Sequence, residues 1–276
     1  MRNVSIVRTG SSRTVGALIM GLAIIPWLGG CLDGGSRQTL NKGYSELNSG
    51  QYDDAGADAD EFLRAHPNGS GVAEAYYLKG RIEEQKAQDA TTSPTLADKR
   101  AHLDAARDEY DRGLDSLAPI GVKALLHTGL ANVDYYEEDY SSALREWTSA
   151  YDNIQSDDTK AWVLYHIGRS EQRLGMFDKA DEAFAKVERL YPGSEAANRS
   201  RMRIGATAFY VEVGSFTNPN LAEAAAAELR KANYAASRTT ENGLATVRVG
   251  PIPSYADAKA FQSRLRSQYP GAIISP

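Results

Sequence analysis

Apolar residues follow three different patterns along this chain. Residues 15–28 form an apolar run. Residues 37–204 repeat apolar positions with the spacing of amphipathic helices, whereas from residue 208 onward short segments alternate apolar with polar side chains. The patterns therefore predict a leader segment, a helical domain over residues 37–204 and a mixed α+β domain over residues 205–276.

The N-terminal segment has the features of an export signal. Arg2, Arg8 and Arg13 precede the apolar run, and no acidic residue lies among them. A basic segment followed by about 15 apolar residues is typical of secretory signals and is short for a membrane-spanning helix. Residues 1–30 are therefore predicted to be a signal peptide.

Cys31, the only cysteine of the chain, directly follows this segment. The sequence Leu28-Gly29-Gly30-Cys31 resembles the lipobox of bacterial lipoproteins, which implies lipidation of the Cys31 thiol and a membrane anchor. Residues 31–36 are then predicted to be the lipidated cysteine and a flexible tether. The alternative is an ordinary signal peptide or membrane anchor with an incidental cysteine.

The residue after the cysteine bears on the destination of such a lipoprotein. In diderm bacteria an Asp there commonly retains lipoproteins in the inner membrane. Here the residue is Leu32, which favours the inner leaflet of the outer membrane, facing the periplasm. Asp33 at the next position, or a monoderm envelope, favours the cytoplasmic membrane instead.

Four alanines mark an internal repeat within the helical domain, namely Ala55, Ala106, Ala143 and Ala180. Glycine and proline recur 12 residues before and after Ala55 and Ala180, and the second unit carries additional residues between 87 and 99. This pattern resembles the tetratricopeptide repeat, in which small residues let two helices approach closely. The resemblance implies a groove for a protein partner, whose identity the sequence leaves open. A spacer without a ligand is the alternative.

The last seventy residues predict the element order βαββαβ. Strands are expected over 209–213, 234–240, 244–249 and 272–274, with helices starting after Asn218 and Ser254. The order is that of a ferredoxin-like antiparallel sheet with both helices on one side. The fold class is therefore α followed by α+β.

Two segments of this domain resemble the sporulation-related repeat, or SPOR, domain. They are Tyr210-Val-Glu-Val-Gly-Ser-Phe216 and Val247-Arg-Val-Gly-Pro251. The resemblance implies binding of peptidoglycan glycan strands that lack stem peptides, which occur at the division septum. Alternation places the candidate glycan contacts on the uncovered side of the sheet: Tyr210, Glu212, Ser215, Leu244, Thr246 and Arg248.

Three of these residues depart from the family pattern. Many members carry Gln where Glu212 stands, an aromatic residue near Leu244 and Arg near Thr246. We expect Glu212 to repel the lactyl carboxylate of a peptide-free muramic acid unless Arg248 neutralises it. The departures therefore predict weaker binding or a different preferred glycan.

Composition and charge exclude other classes of function. The net charge is −5, with 21 basic and 30 acidic residues over 37–204 and 7 basic and 5 acidic residues over 205–276, so nucleic-acid binding is not expected. The four histidines and single cysteine lack metal-ligand spacing, and no phosphate loop or catalytic set occurs. We expect neither a metal, a cofactor nor an enzymatic activity.

Together these features predict a lipid-anchored periplasmic adaptor. Its SPOR domain would hold denuded glycan, and its repeats would recruit or space proteins of division or wall remodelling. The alternative is an accessory scaffold of an outer-membrane assembly complex that the SPOR domain tethers to the wall. Binding to sacculi with and without amidase treatment distinguishes the two.

Overall fold

Nine helices in the described part of the chain form an array of antiparallel pairs. The computed structural model describes residues 34–69, 71–241 and 243–276. We call α1–α9 the helical array: α1 (Gly34–Asn48), α2 (Tyr52–Ala65), α3 (Val72–Gln88), α4 (Leu96–Asp115), α5 (Ile120–Tyr136), α6 (Tyr140–Tyr151), α7 (Asp157–Arg173), α8 (Phe177–Leu190) and α9 (Glu195–Arg201). The predicted succession of helix pairs with a terminal capping helix is confirmed.

Small residues bring the paired helices together, as the repeat predicts. Each of the four register alanines is fully buried, at 0% exposure. A Cβ atom on Gly80 would lie 2.3 Å from the Tyr110 ring, and one on Gly168 would lie 2.7 Å from the Phe184 ring. Because real Cβ contacts are longer, glycine is needed for these aromatic rings to fill the space between helices.

The additional residues of the second repeat lengthen its helices. Helix α4 spans 20 residues, against 14, 12 and 14 in the second helices of the other pairs. It begins after Thr95, whose hydroxyl accepts a hydrogen bond from the Asp98 amide while Asp98 accepts one from the Thr95 amide. This reciprocal capping fixes the start of the longer helix.

The first helix overlaps the predicted tether. Helix α1 includes residues 34–36, so the expectation of a flexible segment is wrong for these three residues. Ser36 is 5% exposed, and its hydroxyl lies 2.6 Å from His66 Nε2, which holds the helix start against α2. The predicted signal peptide and Cys31 lie outside the described residues. Within the described ranges no helix has the length and apolarity to cross a membrane.

A charged pair is buried between α3, α4 and α5. Glu84 is fully buried, and one of its carboxylate oxygens lies 3.6 Å from Arg81 Nε. The Tyr110 hydroxyl donates to Glu84 at 2.9 Å, and the Asn132 amide donates at 3.1 Å. The carboxylate of Glu84 therefore joins three helices through hydrogen bonds and charge.

Aromatic rings surround a buried histidine in the third and fourth repeats. His166 is 3% exposed and stacks on Trp147 and Trp162, with ring centroids 5.0 and 6.1 Å away. Neither ring nitrogen has a hydrogen-bond partner among the described residues. Burial and the positive charges of nearby arginines lower the pKa of His166 well below its usual value. The imidazole is therefore neutral in the folded protein at neutral pH.

This histidine should make stability depend on pH below about 6.5, the ordinary pKa of histidine. The unfolded chain then binds a proton that the folded chain does not, so the free energy of unfolding falls by about 1.4 kcal/mol per pH unit. We expect urea denaturation between pH 7.5 and 5.5 to show a shallower decline for His166→Phe than for wild type. Ser149→Ala, at an exposed position on α6 without a titratable side chain, is the control and should keep the wild-type slope. Equal slopes for His166→Phe and wild type would contradict the prediction.

The last part of the chain folds into a separate α+β unit, which we call the small domain (residues 205–276). Its elements are β1 (Phe209–Phe216), α10 (Pro219–Lys231), β2 (Ala236–Glu241), β3 (Leu244–Ile252), α11 (Tyr255–Leu265) and β4 (Ile273–Ser275). Its antiparallel sheet has the strand order β2-β3-β1-β4. Helices α10 and α11 pack with the valines of β1 and β3 in one core, which confirms the predicted ferredoxin-like arrangement.

Aromatic contacts join the helical array to the small domain. Phe209, at the start of β1, is 1% exposed and packs against Phe177 and Tyr255. The Arg173 guanidinium lies 3.6 Å from the centre of the Tyr255 ring, and Tyr140 meets the same ring edge-on. We call these five side chains the junction. Their positions place the contact at the beginning of β1 and α11.

Candidate functional site

The side of the sheet opposite α10 and α11 carries the predicted glycan contacts, and we call it the open face. In the ladder between β1 and β3, Glu212 pairs with Arg248 and Ser215 pairs with Thr246. The alternating valines of both strands are buried in the core with the helices. Register thus brings the six predicted residues to one surface, and their contact with a glycan stays a prediction.

Tyr210 and Arg248 form a stacked pair at the centre of this face. The Arg248 guanidinium carbon lies 4.2 Å from the centre of the Tyr210 ring. A Cβ atom on Gly250, whose φ is +149°, would lie 2.7 Å from the same ring, so the glycine makes room for it. Arg248 Nε is buried without an acceptor in the described ranges. The pair presents a flat cationic surface.

Glu212 lies beside this pair without neutralising it. It is the ladder partner of Arg248, but no ion pair joins the two side chains within 4.0 Å in the described part of the chain. Arg248 instead turns onto the Tyr210 ring. Glu212 is half-buried, so its carboxylate adds negative charge where Arg248 offers positive charge.

The hydroxyls further along the face are joined to each other. Ser215 Oγ and Thr246 Oγ1 lie 2.9 Å apart. Thr246 is only 2% exposed, so the expectation that its hydroxyl is open to a ligand is wrong: neighbouring strands enclose a short side chain in the middle of the sheet. Ser215 and Leu244 are half-buried and remain accessible at the surface.

Strand register adds residues to the open face that the alternation pattern does not identify. Ile273 of β4 is the ladder partner of Glu212 and is 41% exposed, and Ser275 is the ladder partner of Tyr210. On the other side, Ser237 of β2 is the ladder partner of Arg248. Alternation in the sequence placed these strands, but only their register shows which residues extend the face.

The open face has the chemistry of a carbohydrate site. The Arg248 guanidinium covers one side of the Tyr210 ring and presents its own plane, and a guanidinium binds carboxylates through two parallel hydrogen bonds. The half-buried Ser215 adds a hydroxyl at the edge of this surface. Within the described ranges no cluster of His, Cys, Asp and Glu is arranged to hold a metal ion.

The helical array carries an acidic cleft of about 530 Å³ between α4, α5 and α6. Arg107 bridges Asp134 at 2.7 Å and Glu137 at 2.6 Å. Burial raises the pKa of Asp134, whereas hydrogen bonds from Ser142 and Ser141 at the start of α6 lower the pKa of Asp139 to about 2. The carboxylates lining the cleft are Asp104, Asp111, Asp134, Glu137, Asp139 and Glu146.

Comparison with known families identifies both domains. Residues 205–276 match the SPOR domain, and residues 162–194 match the tetratricopeptide repeat, which confirms both resemblances. Among solved structures, the P58(IPK) TPR domain is 14% identical over 86% of this chain and 74% of that chain, with a TM-score of 0.25. No curated protein matches the chain. Both domain types are non-catalytic binding domains, SPOR for peptidoglycan and the repeat for proteins.

Proposed function

We propose that this chain is a cell-envelope adaptor without enzymatic activity. Its SPOR domain binds peptidoglycan glycan strands that lack stem peptides, while its helical array holds a protein of division or wall remodelling. The observation that carries the proposal is the stacked pair of Tyr210 and Arg248 on the open face. The small domain contacts the array through Phe209 and Tyr255, at the start of β1 and α11. Tyr210 and Arg248 do not belong to the junction, and both side chains are half-exposed.

The preference for glycan without peptides follows from charge. Removal of a stem peptide leaves a free lactyl carboxylate on the muramic acid, which a guanidinium binds in a bidentate manner. Arg248 has no carboxylate partner within 4.0 Å in the described ranges, so its terminal nitrogens are available for this role. An intact stem peptide converts the carboxylate to an amide and removes the charge.

Sacculi with and without prior amidase treatment test the proposal. We expect the purified protein to sediment with treated sacculi and to bind untreated sacculi at least tenfold less. Equal binding to both would contradict the assignment to denuded glycan. Release of soluble sugar products from sacculi would contradict the absence of enzymatic activity.

Glu212→Gln should strengthen this binding about three- to tenfold. The variant removes a negative charge next to Arg248 and keeps a polar side chain, so the lactyl carboxylate meets less repulsion. Sedimentation with amidase-treated sacculi at 0.05 M and 0.3 M salt measures the effect, which should shrink at the higher salt. Glu228→Gln is the control, because Glu228 is an exposed carboxylate on α10, and this variant should bind as wild type does. Unchanged or weaker binding by Glu212→Gln would show that its carboxylate does not oppose the ligand.

We further propose that Cys31 is lipidated and anchors the protein to the inner leaflet of the outer membrane. The lipobox-like sequence before it supports this anchor. Cys31→Ala should move the protein from the membrane fraction to the soluble periplasmic fraction, because the lipid chains supply the membrane affinity. Fractionation and immunoblotting measure the change. An unchanged membrane fraction for the variant would contradict the anchor.

A further inference from the structure

One edge of the helical array brings together the starts of α1, α3 and α5, and we call it the α1 edge. Arg37 in the first turn of α1 pairs with Glu74 in the first turn of α3 at 2.7 Å, so these two helices begin at one level. Asn132 of α5 donates to Glu84 of α3 at 3.1 Å, and each of these residues lies the same number of positions after the start of its helix. Helix α5 therefore begins at this level too.

Helix α4 ends at the α1 edge, because it runs antiparallel to α3. His102, near the start of α4, lies 2.6 Å from Glu83 in the second half of α3. Glu109, further along α4, lies 3.1 Å from Lys79 in the first half of α3. The connection from α4 to α5, residues 116–119, is therefore part of the α1 edge.

Two large apolar side chains are exposed at this connection. Leu117 is 91% exposed and Ile120 is 63% exposed. Arg64 in the last turn of α2 and Lys123 in the first turn of α5 are exposed and have no ion-pair partner in the described ranges. The acidic residue nearest to Leu117 in the sequence is the exposed Asp115. Apolar side chains beside unpaired basic ones fit a lipid surface with anionic headgroups.

A short stretch of chain joins the α1 edge to the proposed lipid anchor. Two residues, Leu32 and Asp33, stand between Cys31 and the first residue of α1. Because an extended residue spans at most about 3.6 Å, the backbone of Cys31 lies within about 11 Å of the start of α1. This distance is about the diameter of one helix. A lipid on Cys31 therefore keeps the start of α1 beside the membrane.

We propose that the α1 edge lies on the membrane surface, with Leu117 and Ile120 inserted among the lipid headgroups. The anchor holds one end of this edge at the bilayer, and burial of the two side chains in lipid favours contact further along it. The contact ends before α7, where the exposed Asp157 and Asp158 are repelled by anionic lipids. The inference rests on that part of the proposed function in which Cys31 is lipidated.

Single labels on the full-length protein test this orientation. The lipidated Cys31 has no free thiol, so a cysteine introduced as Leu117→Cys or Ile120→Cys is labelled alone with bimane. The protein is reconstituted into vesicles of phosphatidylethanolamine and phosphatidylglycerol that contain a lipid with a nitroxide on its acyl chain. We expect the nitroxide to quench both labels at least about twofold more than a label at Leu96→Cys, because only the first two lie at headgroup depth.

Leu96→Cys is the matched control for Leu117→Cys. Leu96 is also an exposed leucine, at 86%, but it begins α4 and so lies about 30 Å from the α1 edge. Equal quenching at positions 96 and 117, or none at either, would overturn the proposal. A label at 117 whose emission shifts to the blue without quenching by the nitroxide would indicate that a second copy of the chain covers the edge, and would also overturn it.

Flotation of wild type with the same vesicles reports on the anchor separately. We expect wild type to float with the vesicles and to take up no thiol label. If it does so while the label at 117 is not quenched, the anchor stands and the orientation is wrong. If wild type stays at the bottom of the gradient and its Cys31 takes up the label, the lipid anchor itself is wrong and the inference is overturned with it.

Discussion

Arg248→Ala should reduce sedimentation with amidase-treated sacculi about 30-fold or more. Arg248 stacks on Tyr210 with its guanidinium carbon 4.2 Å from the ring centre, and in the proposed site the same guanidinium binds the lactyl carboxylate. Loss of a central contact in a binding site typically costs about 2 kcal/mol or more, which corresponds to this change in affinity. Titration of sacculi with purified protein gives the ratio of dissociation constants.

Two further variants define the role of Arg248. Arg266→Ala removes an exposed arginine after α11 and should bind as wild type does. Arg248→Lys keeps the positive charge without the planar fork, so it should recover only part of the binding. If Arg248→Ala binds as tightly as Arg266→Ala, the open face is not the glycan site.

Glu84→Ala should lower the free energy of unfolding by about 3–5 kcal/mol, because it leaves Arg81 buried without its charge partner. Tyr110 and Asn132 lose their acceptor at the same time. Equilibrium unfolding in urea, followed by circular dichroism, measures the loss. We expect this loss of stability to exceed that from removal of any other carboxylate in the array. Among the described charged residues of the array, Glu84 alone has an exposure of 0%.

Matched variants separate charge from hydrogen bonding. Glu84→Gln keeps an acceptor for Tyr110 and Asn132 but removes the charge, so its loss should be intermediate. Glu61→Ala changes an exposed carboxylate on α2 and should alter stability by less than about 0.5 kcal/mol. A loss for Glu84→Ala no greater than that for Glu61→Ala would indicate that the buried pair contributes nothing to stability.

The local features of this fold were predictable from sequence because each depends on nearby residues. The Asn218 cap of α10 and the alternation of β1 act within a few residues, and the alanine register is visible because the same short pattern recurs along the chain. Thr246 was wrongly expected to be accessible, because alternation gives the side of a sheet but not how closely the neighbouring strands enclose a short side chain. Helix α1 extended into the predicted tether because Ser36 meets His66, a contact 30 residues away.

Long-range contacts account for what the sequence did not predict. Glu84 receives hydrogen bonds from Tyr110 and Asn132, which lie 26 and 48 positions away in the sequence. The junction likewise joins Phe177 to Phe209 and Arg173 to Tyr255, and no periodicity connects these positions. Such pairings depend on how completed domains dock against each other.

The junction also bears on how force would pass between the two domains. Because Phe209 and Tyr255 pack against Phe177 and Arg173, a change in the angle between the small domain and the array would have to break these contacts. In the proposed adaptor role, force on a bound protein would therefore load these few side chains before it reached the glycan strand.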